Sequence, residues 1–173
     1  KNNLNKIQKQ RVFPMNILVL NCGSSSIKAD ILNPHTNTRL ESIRVERIGT
    51  PNCILQTKTE SISLDKCDHS LALEQVLNHF SSEFSAIGHR VVHGGEHFIH
   101  PTRITEEVIE TIRGLTSLAP LHIPANLAGI LACGKRFPDC LQVAVFDTAF
   151  HATLPRRARK YAIPNDIAVK HGI

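Results

Sequence analysis

Three hydroxyl groups and a glycine stand between two short strand-like segments near the start of the chain. The segment Gly23-Ser24-Ser25-Ser26 follows the run 17–20 and precedes the run 27–31. Glycine can adopt positive φ and lets backbone N–H groups come close to a ligand. Successive amides and serine hydroxyls form a concave donor surface for anionic oxygen. The bend therefore predicts a phosphate-binding hairpin, although Asn, Gly and Ser are also the usual residues of an ordinary polar turn.

Two later apolar runs carry groups that can hold charge. The run 87–92 contains Arg90, whose planar guanidinium can bind a carboxylate or phosphoryl group at two points and stays charged. The run 143–146 is followed by Asp147, a carboxylate that is costly to bury without a partner. An ordinary ion-paired arginine and a turn-capping aspartate are the alternatives. In an α/β sheet, groups at such strand ends converge on a cleft, so the spacing predicts a shared binding site.

These segments together resemble the acetate kinase (acetokinase) family. The resemblance runs from Met15 to about the C-terminus and rests on four blocks in the family's order, which are 21–26, 87–96, 120–130 and 143–151. It implies reversible phosphoryl transfer from ATP to acetate, giving acetyl phosphate and ADP, and propionate kinase of the same family is the alternative. It also implies Mg²⁺ or Mn²⁺ as the metal, ATP as the co-substrate, and a homodimer for full-length members.

The resemblance implies catalytic roles for three residues and a metal-placing role for a fourth. Arg90 would hold the substrate and the moving phosphoryl group, and Asp147 would orient the acceptor carboxylate and the Mg²⁺ environment. His122 would contact the moving phosphoryl group, and Asn21 would help to place the metal and phosphoryl oxygens. The chain departs from the family at Ile123, where asparagine is common, so a polar contact could be missing there.

Further residues match the binding parts of the family pattern. Ser24, Ser26 and Lys28 would line the phosphate side, although Lys28 could simply cover the solvent face of its strand. Val92 and Phe98 would form an apolar wall beside Arg90, because a small acyl group is recognised by its methyl in a close-fitting dry recess.

Charge and composition argue against several other classes. The chain has 173 residues and a formal net charge of +5, but Lys1, Lys6, Lys9 and Arg11 precede Met15 with no acid among them, so the remainder carries only +1. We therefore expect residues 1–14 to be a disordered basic extension rather than a nucleic-acid-binding arm. No apolar stretch is long enough to span a bilayer, and the N-terminus lacks a signal h-region, which predicts a cytoplasmic protein without a membrane partner.

The five cysteines are an odd number and include no Cys-x-x-Cys pair. This spacing argues against a disulfide framework and against a zinc site, and it predicts reduced thiols. Cys22 is interpreted as a small packing residue behind the serine bend. His89, His93 and His97 recur every four residues, but the β-branched run and the glycines after it make a shared helix face implausible.

Hydrophobic spacing predicts strands first and then strand and helix in alternation, an α/β order. This order fits the fold that the resemblance implies, a ribonuclease H-like domain of the actin, Hsp70 and sugar kinase type with a mixed sheet and flanking helices. Strands are predicted over 17–20, 27–31, 40–48, 87–92 and 143–147, helices over 71–80, 105–112 and 124–136, and residues 54–64 could be a strand or a loop. We expect this domain to cover residues 15–155. Residues 156–173 would be a linker or the start of a second domain that ends early.

Rival chemistries lack their motifs. The segment His93-Gly94-Gly95 is similar to an oxyanion-hole motif, but the chain has no Gly-x-Ser-x-Gly elbow, and it has no P-loop. A non-catalytic module that binds a carboxylate or a phosphate stays open. The family's second domain supplies the adenosine pocket, so we expect this chain alone to have negligible turnover. The central expectation is that Arg90 and Asp147 face one another across a recess floored by the serine hairpin.

Overall fold

The computed structural model describes residues 15–171, so the extension expected over residues 1–14 lies outside the described part. Within it, eight strands form one sheet in the order β5-β4-β3-β2-β1-β6-β8-β7. The strands are β1 (Ile17–Cys22), β2 (Ser26–Asn33), β3 (Thr38–Glu46), β4 (Ile54–Gln56), β5 (Ser61–Ser63), β6 (Ala86–Val91), β7 (Thr102–Arg103) and β8 (Leu141–Phe146). This mixed sheet confirms the predicted α/β class.

Strand directions divide the sheet into two parts. Strands β1 to β5 form an antiparallel meander, whereas β6 and β8 run parallel to β1. The short strand β7 pairs antiparallel with β8 at the edge. Because β1, β6 and β8 are parallel, their carboxyl ends lie along one edge, which we call the carboxyl edge.

The register of β1 decides which side chains face the core. Leu18, Leu20 and Cys22 are buried, while Val19 and Asn21 alternate with them on the opposite face. A slip of one residue would bring Asn21 into the core and expose three apolar side chains, so the alternation strongly specifies this register.

Five α-helices accompany the sheet in the described residues, with two short 3-10 helices at Leu115–Ser117 and Asp147–His151. They are α1 (His69–His79), α2 (Glu106–Gly114), α3 (Ile123–Arg136), α4 (Arg156–Arg159) and α5 (Asn165–His171). The Asp68 carboxylate accepts a hydrogen bond from Leu71 N at the start of α1, and the Thr105 hydroxyl accepts one from Val108 N at the start of α2. Each cap satisfies a backbone N–H group that has no partner within its helix. None of these helices combines the length and apolar content needed to cross a membrane.

The core lies between the sheet and the helices α1 and α3. One buried cluster joins β1, β2 and β3 to α1, and a second joins the ends of β6 and β8 to α2 and α3. On the other face of the sheet, Leu141 and Val145 are 44% and 48% exposed. We call that surface, with Ile17, Val19, Leu32, Leu141, Val143 and Val145, the open face.

The structure resolves one open expectation, for residues 54–64, and corrects another, for Gly23. Residues 54–64 form a hairpin of two three-residue strands, β4 and β5, rather than one strand or a loop. Gly23 does not adopt positive φ, unlike Gly49 and Gly95. Its lack of a side chain serves a close approach instead, because a Cβ there would lie 3.3 Å from the carbonyl oxygen of Ser26. The domain limit at residue 155 stays a prediction.

Candidate functional site

Three polar residues from separate parts of the sequence meet at the carboxyl edge. Asn21 is the penultimate residue of β1, Arg90 is the penultimate residue of β6, and Asp147 directly follows β8. Leu20 is in register with His89, so Asn21 and Arg90 are the next pair along β1 and β6. Alternation along the strands places both side chains on the face opposite the core. The sheet register therefore produces the convergence that the strand ends predicted.

Arg90 binds Asp147 through two of its nitrogens. Nη2 donates to Asp147 Oδ2 at 2.7 Å, and Nε donates to Oδ1 at 3.0 Å and to Oδ2 at 3.1 Å. Nη1 donates to Asn21 Oδ1 at 3.2 Å. The hydrogen bonds to Asp147 raise the pKa of Arg90 above its ordinary value and outweigh the opposing effect of burial. The guanidinium is therefore charged at every working pH.

This ion pair is only half-buried, with side-chain exposures of 49% for Arg90 and 42% for Asp147. Ion pairs this accessible contribute only about 0–1 kcal/mol to folding. A guanidinium carries five N–H groups, and the bonds above engage one on each nitrogen, which leaves one on Nη1 and one on Nη2. These remaining N–H groups are available to a carboxylate or a phosphoryl group, which a guanidinium can bind at two points.

The serine hairpin is held by contacts from both sides. Gly23 N donates to Ser26 O at 2.8 Å, so this amide closes the turn and is already engaged. Ile48 N donates to Ser25 O at 3.0 Å, and His69 Nε2 lies 2.8 Å from Gly23 O. These contacts fix the backbone of the bend while Ser24 at its tip is exposed.

The other predicted phosphate-side residues flank this bend. Ser26 is half-buried at the start of β2, and Lys28 is exposed directly opposite Asn21 in the β1–β2 pair. Opposed residues of an antiparallel pair project to the same face, so Lys28 shares the open face with Asn21 and Arg90. Their part in binding phosphate stays a prediction.

The loop after β6 is fixed by side chains from two other elements. Val92 N donates to Asn126 Oδ1 at 3.2 Å, and Gly94 N donates to Thr148 Oγ1 at 2.9 Å. Val92 is half-buried against the second cluster. Phe98 is 8% exposed, and its ring stacks on Phe146 at 4.5 Å between centroids. Phe98 thus lies in the core beneath the loop, and its direct contact with a ligand stays a prediction.

His122 lies at the N-terminus of α3. It is exposed, its side chain makes no capping hydrogen bond, and its carbonyl accepts from Asn126 N at 2.9 Å. The hydrogen bonds of Arg90 in the described residues go to Asn21 and Asp147, so His122 is not part of that network. Ile123, at the position where the family commonly has asparagine, is fully buried and serves packing.

Three contributors to this edge were missed by sequence reasoning. Asn126 is buried in α3, Thr148 follows Asp147, and His69 begins α1. Each binds a backbone group near the carboxyl edge rather than another side chain of the site. The available signal was weak, because an asparagine in a helix is usually exposed.

The histidines considered as metal ligands point in different directions. His89 is 2% exposed and its Nε2 lies 2.7 Å from the side-chain amide of Gln142, whereas His97 is exposed. Burial lowers the pKa of His89 to about 4, and the contact with Gln142 only partly opposes this. His93 Nδ1 accepts from Gly95 N at 2.9 Å. No group of three or more His, Cys, Asp or Glu side chains within residues 15–171 could hold a metal ion.

Cys22 is buried behind the serine bend, as the sequence predicted. Burial, together with the neighbouring Cys133, raises the pKa of its thiol well above the ordinary value. A thiolate is therefore disfavoured, and the side chain packs as a small apolar group. All five cysteines are free thiols.

Comparison with known proteins agrees with this geometry. The family model described as "Acetokinase family" matches residues 16–173. The chain belongs to the acetokinase family. A curated acetate kinase of Pseudomonas aeruginosa (strain LESB58) is 47% identical over 167 residues, which cover 91% of this chain and 42% of that protein. This acetokinase chain thus spans less than half the length of the curated relatives it matches.

Two solved structures extend the comparison to the fold. A propionate kinase from Francisella tularensis subsp. tularensis SCHU S4 matches with a TM-score of 0.81 at 43% identity, over 92% of this chain and 44% of that one. The acetate kinase of Porphyromonas gingivalis matches with a TM-score of 0.80 at 40% identity, again over 92% and 44%. The acetokinase chain therefore has the actin, Hsp70 and sugar kinase type of fold, which confirms the ribonuclease H-like prediction.

Proposed function

We propose that the carboxyl edge is the acyl and phosphoryl site of an acetate kinase, which transfers a phosphoryl group reversibly from ATP to acetate. The observation that carries this proposal is the bidentate Arg90–Asp147 pair beside Asn21 at the ends of three parallel strands. Phosphoryl transfer needs alignment and charge neutralisation more than covalent chemistry. A fixed guanidinium with remaining N–H groups supplies both.

In this proposal each residue has a separate task. The remaining N–H groups of Arg90 bind the acetate carboxylate or the moving phosphoryl group, and Asp147 holds the guanidinium side-on so that these groups stay available to the ligand. Val92 contacts the acyl methyl from the loop after β6, with Phe98 supporting it from the core. His122 donates to the moving phosphoryl group from the start of α3.

The nucleotide and the metal would approach from the hairpin side. Ser24, Ser26 and Lys28 bind phosphate oxygens of ATP. Asn21 Oδ1 and the Asp147 carboxylate are hard oxygen donors of the kind that Mg²⁺ or Mn²⁺ accepts, and the metal would take its remaining ligands from phosphates and water. When bound, the ion neutralises charge on the transferring group. Asn21 Oδ1 and Asp147 Oδ1 each accept one hydrogen bond from Arg90, so each oxygen keeps a lone pair that could bind the cation.

A propionate kinase is the second candidate for the substrate, because the solved Francisella tularensis relative carries that name. Acetate and propionate differ by one methylene, which a pocket distinguishes by about 1–3 kcal/mol. Competition between the two acids for the same site would rank them. A homodimer, a cytoplasmic location and the absence of nucleic-acid and membrane partners remain parts of the proposal.

A binding experiment with matched variants tests the proposal. Equilibrium binding of acetyl phosphate is measured for the unchanged chain, for Arg90→Lys and for Arg113→Lys. Arg113 is a fair control, because it is also ion-paired, at 3.3 Å to Glu110, and is 53% exposed. Arg90→Lys should weaken binding by about tenfold, since a lysine lacks the planar guanidinium that can bind an anion at two points. Equal weakening by both variants, or an unchanged affinity in Arg90→Lys, would refute the proposal.

Turnover separates a kinase half-site from a non-catalytic module. The chain aligns with about 42% of the P. aeruginosa acetate kinase, so we expect negligible ATP-dependent acetyl phosphate formation by this chain alone. Two-domain kinases close around their substrates to complete the charge clamp and exclude water. A coupled assay that gave ordinary kinase rates with this chain would contradict that expectation. Acetyl phosphate binding with no turnover in any assembly would instead support the non-catalytic module.

A further inference from the structure

We infer that Asn126 is a positioning residue that sets the spacing between the hairpin side and the acyl side of the proposed site. This inference rests on the proposed function for the identity of the ligand. Asn126 lies in α3 and is 3% exposed. It and His89 are the buried polar or charged residues of the described part of the chain.

Both ends of the Asn126 amide are used, and they reach different strands. Nδ2 donates to Cys22 O at 2.7 Å, at the carboxyl end of β1. Oδ1 accepts from Val92 N at 3.2 Å, directly after β6. The two backbone groups belong to the residue after Asn21 and to the second residue after Arg90. One side chain therefore bridges the two strand ends that carry the ligand groups.

The same residue is fixed to a third segment through its backbone. Asn126 N donates to His122 O at 2.9 Å, so the first turn of α3 connects the bridge to the proposed phosphoryl-contacting histidine. A rigid helix turn transmits position better than a free loop does. The Asn126 amide thereby helps to fix His122 relative to the two strand ends, together with the packing of α3 in the second cluster.

The chemistry of the bridge is difficult to replace. Strands β1 and β6 stop pairing near this point, so Cys22 O and Val92 N have reached the end of their ladder. A buried backbone group without a partner is costly, and an amide side chain supplies one donor and one acceptor together. Aspartate keeps the acceptor for Val92 N but, when ionised, has no donor for Cys22 O.

Nuclear magnetic resonance (NMR) on three variants separates positioning from plain stability. Asn126→Ala removes both bonds, Asn126→Asp keeps the acceptor, and Ile130→Val removes one methylene from the same buried face of α3 as the control. The measured signals are the Arg90 Nε–H, the Asn21 side-chain amide and the Val92 backbone amide, with thermal unfolding recorded for each variant. We expect Asn126→Ala to shift the Arg90 and Asn21 signals. Ile130→Val should shift neither of them, even where the two variants lose a comparable amount of thermal stability. Asn126→Asp should change the chemical shift of the Asn21 side-chain amide, because the bond to Cys22 O is lost. The chemical shift of the Val92 amide should stay that of a hydrogen-bonded amide, because its acceptor is kept.

Binding of acetyl phosphate supplies the second readout. Asn126→Ala should weaken it by about tenfold, while Ile130→Val leaves it within about twofold. Unchanged signals and affinity in Asn126→Ala, or equal changes in the control, would overturn the inference. If the unchanged chain does not bind acetyl phosphate, the proposed function fails, and the Arg90 and Asn21 signals still decide the positioning role. If Asn126→Ala does not fold, Asn126→Asp decides it by the same signals.

Discussion

At the scale of single residues, the Arg90–Asp147 pair is the feature that function explains better than stability does. An exposed, salt-screened pair adds little to folding, yet here its donors and acceptors are all at the carboxyl edge. The convergence of Arg90, Asp147 and Asn21 could be predicted, because each residue lies at or directly after the end of a strand that the sequence marks clearly. Asn126 could not be predicted in the same way, since its burial depends on how α3 packs against β1.

Removal of the Asp147 charge gives the first prediction. In Asp147→Asn, Arg90 loses its counter-charge and a bound anion loses a like-charged neighbour, so acetate should bind this chain about three- to tenfold more tightly. The free energy of unfolding should change by less than about 1 kcal/mol. Titration calorimetry with sodium acetate at fixed ionic strength measures the affinity, and Glu110→Gln in the exposed Arg113 pair is the control. Weaker acetate binding by Asp147→Asn would contradict this prediction and would mean that the hold of Asp147 on the Arg90 guanidinium outweighs its repulsion of the anion.

His89 gives a prediction about pH. Its pKa is about 4 in the folded chain against 6.5 ordinarily, so between these values the unfolded chain binds a proton that the folded chain does not. The stabilising contribution is thus fully present above pH 6.5 and is lost as the pH falls towards 4, by about 3 kcal/mol in total.

Urea unfolding between pH 7.5 and 4 measures this effect by comparison of the unchanged chain with His89→Gln. Glutamine cannot take up the proton, so the variant should lose less stability than the unchanged chain as the pH falls through this range. The exposed residue His100 provides the control variant His100→Gln, which should follow the unchanged chain. Parallel pH curves for the unchanged chain and His89→Gln would contradict the prediction.

At the scale of elements, the sequence predicts best where local chemistry decides the outcome. The starts of α1 and α2 follow from the capping residues Asp68 and Thr105. The meander and the two parallel strands follow from alternating apolar positions. The hairpin β4–β5 was ambiguous because three residues are too few to show alternation. Strand β7 has only two residues and exists through its pairing with β8, which no local pattern encodes.

The loop after β6 depends on two adjacent glycines, and this gives an element-scale prediction. A Cβ on Gly94 would lie 2.5 Å from the carbonyl oxygen of Phe98, a backbone atom that cannot move aside cheaply. Gly94→Ala should therefore destabilise the fold by about 3 kcal/mol and displace the loop that carries Val92. The midpoint of urea unfolding measures the loss.

Gly88, in the strand β6 that precedes this loop, offers the matched control. A Cβ there meets nothing within 4 Å, so Gly88→Ala should be neutral or stabilise by up to about 1 kcal/mol. Equal destabilisation by both alanine variants would mean that the loss at Gly94 is not caused by its close approach to Phe98.

At the scale of the whole molecule, the open face sets the expected behaviour in solution. Leu141 and Val145 are close to half exposed on it, beside further apolar residues of β1 and β8. Contiguous apolar surface of this kind favours association. We therefore expect this chain to self-associate at high concentration, and light scattering as a function of concentration measures it.

A pair of leucines makes that prediction specific. Leu141 on the open face and Leu131 on α3 are both 44% exposed. Leu141→Lys should reduce self-association and leave acetyl phosphate binding unchanged, because Leu141 is at the end of β8 remote from Asp147. Leu131→Lys should have little effect. A monodisperse monomer at high concentration, or equal effects of the two variants, would contradict the role of the open face.

The most direct test of the proposed site is an NMR titration of the chain, labelled with ¹⁵N at arginine, with acetyl phosphate, following every arginine Nε–H signal. If the guanidinium of Arg90 binds the ligand, the Arg90 signal moves more than those of the other arginines, the shift saturates, and unlabelled acetate competes with it. Saturable shifts that leave Arg90 in place, or that centre on another arginine, would contradict the assignment of the carboxyl edge as the acyl and phosphoryl site.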